Sequence, residues 1–383
     1  KNKISKNSLY LMNFNNRAIL SHQYYIAIVL FSACRETSVK KTTGSKISIN
    51  SLNIEKIALD SIDNCSYIGF SGIRGDSVFY FDEVLSYLYS ISLDGHIGER
   101  QLGLGKSASE LPIKTPMQVC YSKEDDAFNI MGSSYDLYTY YPADRKTHRI
   151  NMKPTGTDDS FQSSTAYTLW DEVLLEGNND YIYYNIFGNN EKVDIFNRSD
   201  YIDKAALLMK VSKETGEMTP IGSYSDYYKT NKNKIKHMPR YYFDIDDEGG
   251  FYFTFQVDSI IYHYDKDLKL IESFGLQGRN MNTKLSDPGS TTESFVKAFM
   301  ADKDNVGHYY WIKNCKDYIF RSYFKSNKSN TDGLQIYKDG ILIGDVDVPK
   351  NFRVSGYTGS YFVTNISFKE SPASMTFYRF KLK

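Results

Sequence analysis

A glycine-rich pentapeptide, Gly103-Leu104-Gly105-Lys106-Ser107, has the residue types of a phosphate-binding loop. Backbone amides in such a loop cradle anions, while the lysine and the serine contact the phosphates and a magnesium ion. The spacing fails, because the motif needs a glycine five residues before Gly105 and that position is Arg100. The stretch that follows, SASELPIKTP, contains a proline where a helix should begin. We therefore predict a turn here and no nucleotide site.

Residues 244–249 (DIDDEG) hold four carboxylates, the oxygen ligands that calcium prefers. A calcium loop of the EF type lies between two helices, whereas strand-like sequences flank this cluster. Acidic residues and glycine are also what a β-hairpin turn requires. We predict a hairpin turn here, and another at Asp158-Asp159.

Six histidines are scattered along the chain, and none forms HExxH or another close metal-binding pair. His263 alternates with Tyr262 and Tyr264 as in a strand, which favours packing over catalysis. No GxSxG nucleophile elbow occurs. We predict no catalytic residue, no metal and no cofactor, with calcium kept as the alternative.

An apolar run from Tyr24 to Leu30 (YYIAIVL) leads through Phe31-Ser32-Ala33 to Cys34. The run is shorter than the roughly 20 apolar residues that span a bilayer, and Arg17 supplies positive charge upstream. This segment resembles a bacterial lipoprotein signal, with Phe31 in place of the usual leucine. The resemblance implies cleavage before Cys34 and lipid on its thiol and its new amino group. The alternative is a buried strand or helix that ends in a free cysteine.

The first methionine is Met12, and a start there gives a signal peptide of normal proportions. We expect residues 1–33 to be an upstream extension and signal peptide, and residues 34–45 to be a polar tether. The folded domain is expected to cover residues 46–383.

The amino-acid composition bears on the partners, the secondary structure and the disulfide bonds to be expected. The chain has 46 basic and 46 acidic residues, which argues against a nucleic-acid partner. Its 33 tyrosines and 23 phenylalanines, with only nine prolines, favour strands. Cys65, Cys120 and Cys315 remain once Cys34 is set aside, and an odd number leaves at least one free thiol. Cys65 and Cys120 are the one pair worth testing for a disulfide, but we predict unpaired thiols.

A repeat of short strands and tight turns is clearest from Tyr241 to Gly275. Five other stretches match it, and the mean spacing is somewhat above the roughly 40 to 50 residues of a propeller blade. The third strands of the six units are predicted to begin near Leu88, Leu137, Leu207, Ile261, Leu334 and Phe377. The last unit stops after its third strand, so Lys46–Leu59 is predicted to supply its outer strand and close the ring.

This alternation of short strands and tight turns, together with the glycine-rich blade ends at 102–110 and 274–280, resembles the pattern of the six-bladed TolB-like or NHL-like β-propeller lipoproteins of Gram-negative bacteria. The resemblance implies an all-β, six-bladed propeller and says almost nothing about function. An irregular pair of β-sandwiches is the alternative. In a propeller, ligands bind at the channel mouth, where the loops leading into the innermost strands converge. The ligand-binding residues predicted there are Tyr67, Trp170, His237, Arg240, Tyr241 and Arg353.

These features together favour a lipid-anchored envelope protein, in the periplasm or on the outer membrane, that binds a carbohydrate or another envelope protein. One alternative is a calcium-dependent hydrolase or lyase that acts on a sugar-derived or lactone substrate at the channel mouth. Another is a subunit that docks onto an envelope protein through exposed tyrosines and tryptophans.

Overall fold

The computed structural model describes residues 39–42, 44–61, 65–113, 115–157, 160–188, 192–196, 198–370 and 373–382. Contacts divide the chain into residues 1–40 and a compact unit of residues 41–383, and the fold below is that of the second unit. The predicted signal peptide, Cys34 and Asp158-Asp159 lie outside the described residues.

The strands form six sheets, each of which is one blade of a β-propeller. Three strands precede the first blade: β1 (Lys40–Thr42), β2 (Ser45–Ile49) and β3 (Ile54–Ala58). Blade 1 contains β4 (Gly69–Arg74), β5 (Ser77–Asp82), β6 (Tyr87–Ile91) and β7 (Ile97–Leu102). Blade 2 contains β8 (Pro116–Ser122), β9 (Ala127–Gly132), β10 (Leu137–Tyr141) and β11 (Lys146–Ile150). Blade 3 contains β12 (Tyr167–Leu169), β13 (Leu175–Gly177), β14 (Tyr181–Gly188), β15 (Leu208–Ser212) and β16 (Met218–Ile221).

The remaining blades follow in chain order. Blade 4 contains β17 (Tyr241–Ile245), β18 (Phe251–Phe255), β19 (Ile261–Tyr264) and β20 (Leu270–Phe274). Blade 5 contains β21 (His308–Cys315), β22 (Tyr318–Phe324), β23 (Asp332–Lys338) and β24 (Ile341–Val348). Blade 6 contains β25 (Val354–Tyr357), β26 (Phe362–Thr364), β27 (Ser367–Glu370) and β28 (Ala373–Phe380). The innermost strands β4, β8, β13, β17, β21 and β25 contact one another in that order, and β25 contacts β4. The predicted six-bladed, all-β propeller is confirmed.

Among the described residues, three short α-helices lie between strands. They are α1 (Tyr201–Lys204) within blade 3, α2 (Asp226–Ile235) between blades 3 and 4, and α3 (Thr292–Asp302) between blades 4 and 5. The Ser225 hydroxyl caps α2 by accepting a hydrogen bond from the Tyr228 amide. In the part of the chain that the structure describes, no helix is long and apolar enough to cross a membrane.

The N-terminal strand β3 completes the C-terminal blade, as predicted. It pairs antiparallel with β28, so that Ile57 lies opposite Phe377 and Glu55 opposite Arg379. The predicted strand over 46–59 is in fact two strands, and β2 runs parallel to β24 at the outer edge of blade 5. Joining the two ends of a domain in one sheet covers a strand edge that would otherwise invite aggregation.

The buried cores lie between neighbouring blades, where aromatic rings from adjacent sheets meet. Phe79 of blade 1 contacts Phe128 of blade 2 at 5.0 Å between ring centroids. Phe320 of blade 5 contacts Phe362 of blade 6 at the same distance. Such pairs contribute about 0.5–1.5 kcal/mol each beyond the area they bury. The many tyrosines and phenylalanines therefore act mainly as the contacts that hold the ring of blades together.

Candidate functional site

A cavity of about 680 Å³ occupies the central channel and is lined by the innermost strands of all six blades. This volume is within the range of small-molecule sites. Its two halves differ in chemistry. The innermost strands of blades 1 and 6 contribute uncharged residues, including Ser71, Gly72 and Ser355. Blades 3 and 5 contribute the ionisable residues Glu176 and Lys313.

Three charged side chains from neighbouring blades meet in this channel. The Lys313 Nζ lies 2.6 Å from Oδ1 of Asp244 and 3.3 Å from Oε1 of Glu176. The other oxygen of Asp244 accepts a hydrogen bond of 2.5 Å from the Asn314 amide. The Asp244 side chain is 1% exposed, whereas those of Lys313 and Glu176 are 20% and 27% exposed. Asp244 therefore anchors the lysine, and Glu176 is the carboxyl that faces the cavity.

The charges in this cluster depend on one another. Burial raises the pKa of Glu176 to about 7, with Lys313 opposing and Asp244 adding to the shift. Burial alone would lower the pKa of Lys313, but the carboxyls of Asp244 and Glu176 outweigh it and raise that pKa. The lysine consequently stays an ammonium ion, while Glu176 can exchange a proton near neutral pH.

A second group of charges lies at the mouth where the innermost strands begin. Glu172 belongs to residues 170–174, which separate β12 from β13 in blade 3. Its Oε1 lies 2.5 Å from Nη1 of Arg353, the residue before β25. Tyr242 donates a hydrogen bond of 3.3 Å to the other oxygen of Glu172. Arg240 donates to both oxygens of Asp171 at 2.7 Å. Both arginines are thus neutralised within the protein.

Two tryptophans lie beside these arginines. The Arg240 guanidinium is 5.3 Å from the Trp170 ring, and that of Arg353 is 5.2 Å from the Trp311 ring. The Trp311 indole donates a hydrogen bond of 2.7 Å to the Val354 carbonyl, which fixes the ring orientation. Trp311 lines the cavity and offers it an aromatic surface.

The structure brings three of the predicted ligand-binding residues, Trp170, Arg240 and Arg353, to one mouth of the channel, and of these Arg353 lines the cavity whereas Trp170 and Arg240 do not. Tyr241 is buried instead, and its hydroxyl donates to the carbonyls of Ile186, at 3.0 Å, and Leu207, so that it joins blade 4 to blade 3. The remaining two predicted residues lie elsewhere in the fold.

His237 is fully buried, and its Nε2 is 2.8 Å from Asp302 at the end of α3. Tyr67 packs against the apolar cluster between blades 1 and 6. Neither residue is among those that line the cavity in the described part of the chain. Their part in ligand binding remains a prediction.

Sequence reasoning missed Glu172, Glu176 and Lys313, and it assigned Asp244 to a turn. The turn itself is confirmed from Asp246 onwards, because Asp246 accepts hydrogen bonds from the amides of Glu248 and Gly250. Asp244 lies before this turn, within strand β17, and its side chain binds Lys313. A lysine inside a strand flanked by aromatics, HYYWIKNC, was the one available signal for a channel-facing charge.

The other sequence motifs have structural explanations. The Gly103–Ser107 segment connects β7 to β8, and the Ser107 amide donates a hydrogen bond of 3.0 Å to the Glu110 carboxylate. That loop is the predicted turn. Cys65, Cys120 and Cys315 are all free thiols. Burial raises the pKa of Cys120 to about 12, so this cavity-lining thiol is protonated at neutral pH.

Within the described residues, no three histidine, cysteine, aspartate or glutamate side chains are grouped so as to hold a metal ion. In the channel, the Lys313 ammonium lies between the carboxyls of Asp244 and Glu176. A bridging metal would need that same position.

The fold and the channel define a six-bladed β-propeller with a central cavity lined by both polar and apolar side chains. The structure is similar to that of a DUF4221 family member from Bacteroides vulgatus, with a TM-score of 0.61 and 13% identity over 87% of this chain and 99% of that one. It is also similar to an exported protein from Bacteroides fragilis, with a TM-score of 0.52 and 11% identity over 90% and 100% of the two chains. No family model and no curated protein matches the sequence. At these identities the likeness concerns the fold alone.

Proposed function

We propose that this protein is an exported, lipid-anchored propeller that binds a neutral, hydroxyl-rich ligand, such as a carbohydrate, in its central channel. One observation carries the proposal. The cavity is lined by polar and apolar side chains in similar measure, and four of the charged side chains that line it are already paired within the protein. Arg353 is paired with Glu172, and Lys313 with Asp244 and Glu176.

Such a lining favours hydroxyl groups over ions. A ligand ion would have to compete with the internal partner of each charge, and displacing a partner leaves a partly buried charge uncompensated. Hydroxyls can instead donate to the free lone pairs of Glu172 and Glu176 while the ion pairs persist. The Trp311 ring supplies the apolar surface against which the C–H face of a sugar packs.

Calorimetric titration with a panel of neutral oligosaccharides tests the proposal. Trp311→Ala should weaken binding by about tenfold or more, a loss of about 1.4 kcal/mol. Tyr227→Ala is the matched control, because Tyr227 is an exposed aromatic outside the channel. Thermal unfolding confirms that both variants are folded. Absence of binding to the whole panel, or equal affinity in the two variants, would contradict the proposal.

A hydrolase or lyase is the second candidate, and the Glu176 carboxyl favours it. A carboxyl with a pKa of about 7 in a cavity is suited to general acid or base catalysis. The position of Lys313 argues for a metal-free version of such an enzyme. In that case Glu176→Gln would abolish turnover of a bound ligand and leave its affinity largely unchanged. In a binding protein, no turnover would be found in either form.

Export and lipid attachment at Cys34 are supported by the signal-like segment that precedes this residue and by the exported neighbour of similar fold. Metabolic labelling with palmitate should mark the wild-type protein in a bacterial host and leave Cys34→Ser unlabelled. Cys65→Ser is the matched control and should be labelled. Equal labelling of the Cys34→Ser and wild-type proteins would refute the anchor.

A further inference from the structure

We infer that a ligand reaches the cavity from one face of the propeller only, the face where the innermost strands end, because the Glu172–Arg353 ion pair bars the other mouth. The inference rests on the proposed function in one respect, since it takes the channel cavity to be the place where a ligand is held. It adds the route by which a ligand enters the cavity and the surface of the protein that the ligand contacts first.

The position of this ion pair, called the bar below, follows from the topology of the ring. Glu172 belongs to blade 3, and Arg353 directly precedes the first strand of blade 6. In a ring of six, blades 3 and 6 are opposite, so side chains from their loops meet over the channel mouth, here on the side of blades 4 and 5, where Tyr242 contacts Glu172 and Trp311 lies beside Arg353. The distance of 2.5 Å between Glu172 Oε1 and Arg353 Nη1 therefore places an ion pair across the mouth.

Several neighbours hold this bar in place. The Tyr242 hydroxyl donates to Glu172, and Arg240 Nη1 lies 3.6 Å from the same carboxylate. Gln118 of blade 2 donates a hydrogen bond of 2.9 Å to the Val173 carbonyl, which fixes the backbone beside Glu172. The carboxylate and both guanidinium groups are each less than one-third exposed, which limits the screening of their attraction by water.

The opposite mouth is built differently. Among the described residues there, Arg74 pairs with Asp126 at 2.9 Å and Lys316 donates to the Tyr357 hydroxyl at 3.4 Å. Each of these contacts joins neighbouring blades and runs along the rim instead of across it. The cavity lining reaches this rim at Asp247, which is exposed, and at Asn178, whereas at the other mouth it consists of the ion-paired residues Asp171, Glu172 and Arg353 with Val173.

The charged cluster inside the channel leaves this route open. Glu176, Asp244 and Lys313 come from blades 3, 4 and 5, respectively, which form one side of the ring. On the other side, blades 1 and 6 present Ser71 and Ser355. A ligand that enters past Asn178 therefore passes beside the ammonium and carboxyl groups.

Access of a thiol reagent to the cavity tests this route without any knowledge of the ligand. Ser71→Cys introduces a reporter thiol on the open side, and a glucosyl methanethiosulfonate is the probe. Peptide mass spectrometry follows modification at position 71 separately from the native cysteines. In this background, Asn178→Trp and Asp247→Trp should slow the reaction by about tenfold or more. Asp171→Trp, a bulky residue at the barred mouth, should change the rate by less than about twofold.

Removal of the bar provides the second half of the experiment. Adding Glu172→Ala and Arg353→Ala to the slowed Asp247→Trp protein should restore the rate by opening the second mouth. The inference is overturned if Asp171→Trp slows the reaction, if neither rim tryptophan does, if the reporter never reacts, or if removing the bar restores nothing. Circular dichroism verifies folding of each variant. Because the probe is not a ligand, failure of the oligosaccharide titrations would leave this outcome unaffected.

Discussion

Arg379 in the last strand and Glu55 in β3 form an ion pair with 2.7 Å between Nε and Oε2, although 324 residues separate them along the chain. The pair marks the seam where the two ends of the domain are joined in blade 6. The adjacent residues Phe377 and Phe380 are 0% and 1% exposed. The ring is therefore closed by an N-terminal strand that covers an apolar part of the C-terminal one.

Removal of this strand should prevent stable folding. A protein that begins at residue 60 lacks β3, which leaves the edge of β28 unpaired and uncovers its apolar neighbours. We expect aggregation on size-exclusion chromatography and loss of a cooperative thermal transition. A protein that begins at residue 44 lacks β1 but keeps β2 and β3, and it should elute as a single species and unfold cooperatively. Similar behaviour of the two truncations would contradict the seam as the closing element.

The channel cluster should be sensitive to loss of its buried carboxylate. Asp244→Ala leaves Lys313 with the longer contact to Glu176, and we expect a loss of roughly 1–3 kcal/mol in the free energy of unfolding in urea. Lys313→Met added to Asp244→Ala removes the uncompensated charge and should recover part of the loss. Glu99→Ala, which breaks an exposed pair with Arg145, should cost less than about 1 kcal/mol and serves as the control. Equal losses in Asp244→Ala and Glu99→Ala would rule out the anchoring role.

The stability of the protein should fall as alkaline pH is approached, and His263 should account for part of the fall. Burial opposes charge on its ring, but the carboxylates of Asp246 and Glu272 outweigh burial and raise its pKa from 6.5 to about 9. A raised pKa stabilises the folded state below pH 6.5 and loses that contribution as the pH rises through about 9. His263→Gln should lower the free energy of unfolding at pH 6 by roughly 1–3 kcal/mol and flatten its decline with pH. Parallel pH profiles of the variant and the wild type would exclude this contribution.

A methyl group at Gly69 should disturb the channel wall. A Cβ built there would lie 2.0 Å from the Phe81 carbonyl oxygen, a backbone atom that cannot rotate away. Gly69→Ala should therefore cost about 2 kcal/mol or more in chemical denaturation, because the strand pair β4–β5 must shift. Gly44→Ala has no atom within 4 Å of the new Cβ and should stay within about 0.5 kcal/mol of the wild type. An unperturbed Gly69→Ala protein would show that the two strands separate easily.

The architecture could be predicted from the sequence because its signals are local. Alternation of large apolar and polar residues over four to six positions marks a strand, and glycine or acidic residues between two such runs mark a turn. Third strands predicted near Leu88, Leu137 and Ile261 begin within one residue of those positions in the structure. The strand that completes the last unit could also be predicted, because an incomplete blade requires a strand from elsewhere in the chain.

The prediction of strands from the sequence failed where polar or charged residues interrupt the apolar pattern of a strand. The innermost strand of blade 5, His308–Cys315, went unrecognised because Lys313 and Asn314 interrupt its apolar pattern. Both residues line the central cavity, where Lys313 pairs with Asp244 and Glu176.

By itself, the sequence determined the class of fold, the number of blades and the seam, since each depends on periodicity within short segments. Only the tertiary structure decided that Lys313 meets Glu176, 137 residues away, and that Glu172 meets Arg353 across the mouth. The period-two pattern of a strand predicts the face of the sheet on which a side chain lies. The depth of that side chain along the channel depends on the register and tilt of six separate sheets. That information exists only once the ring has closed.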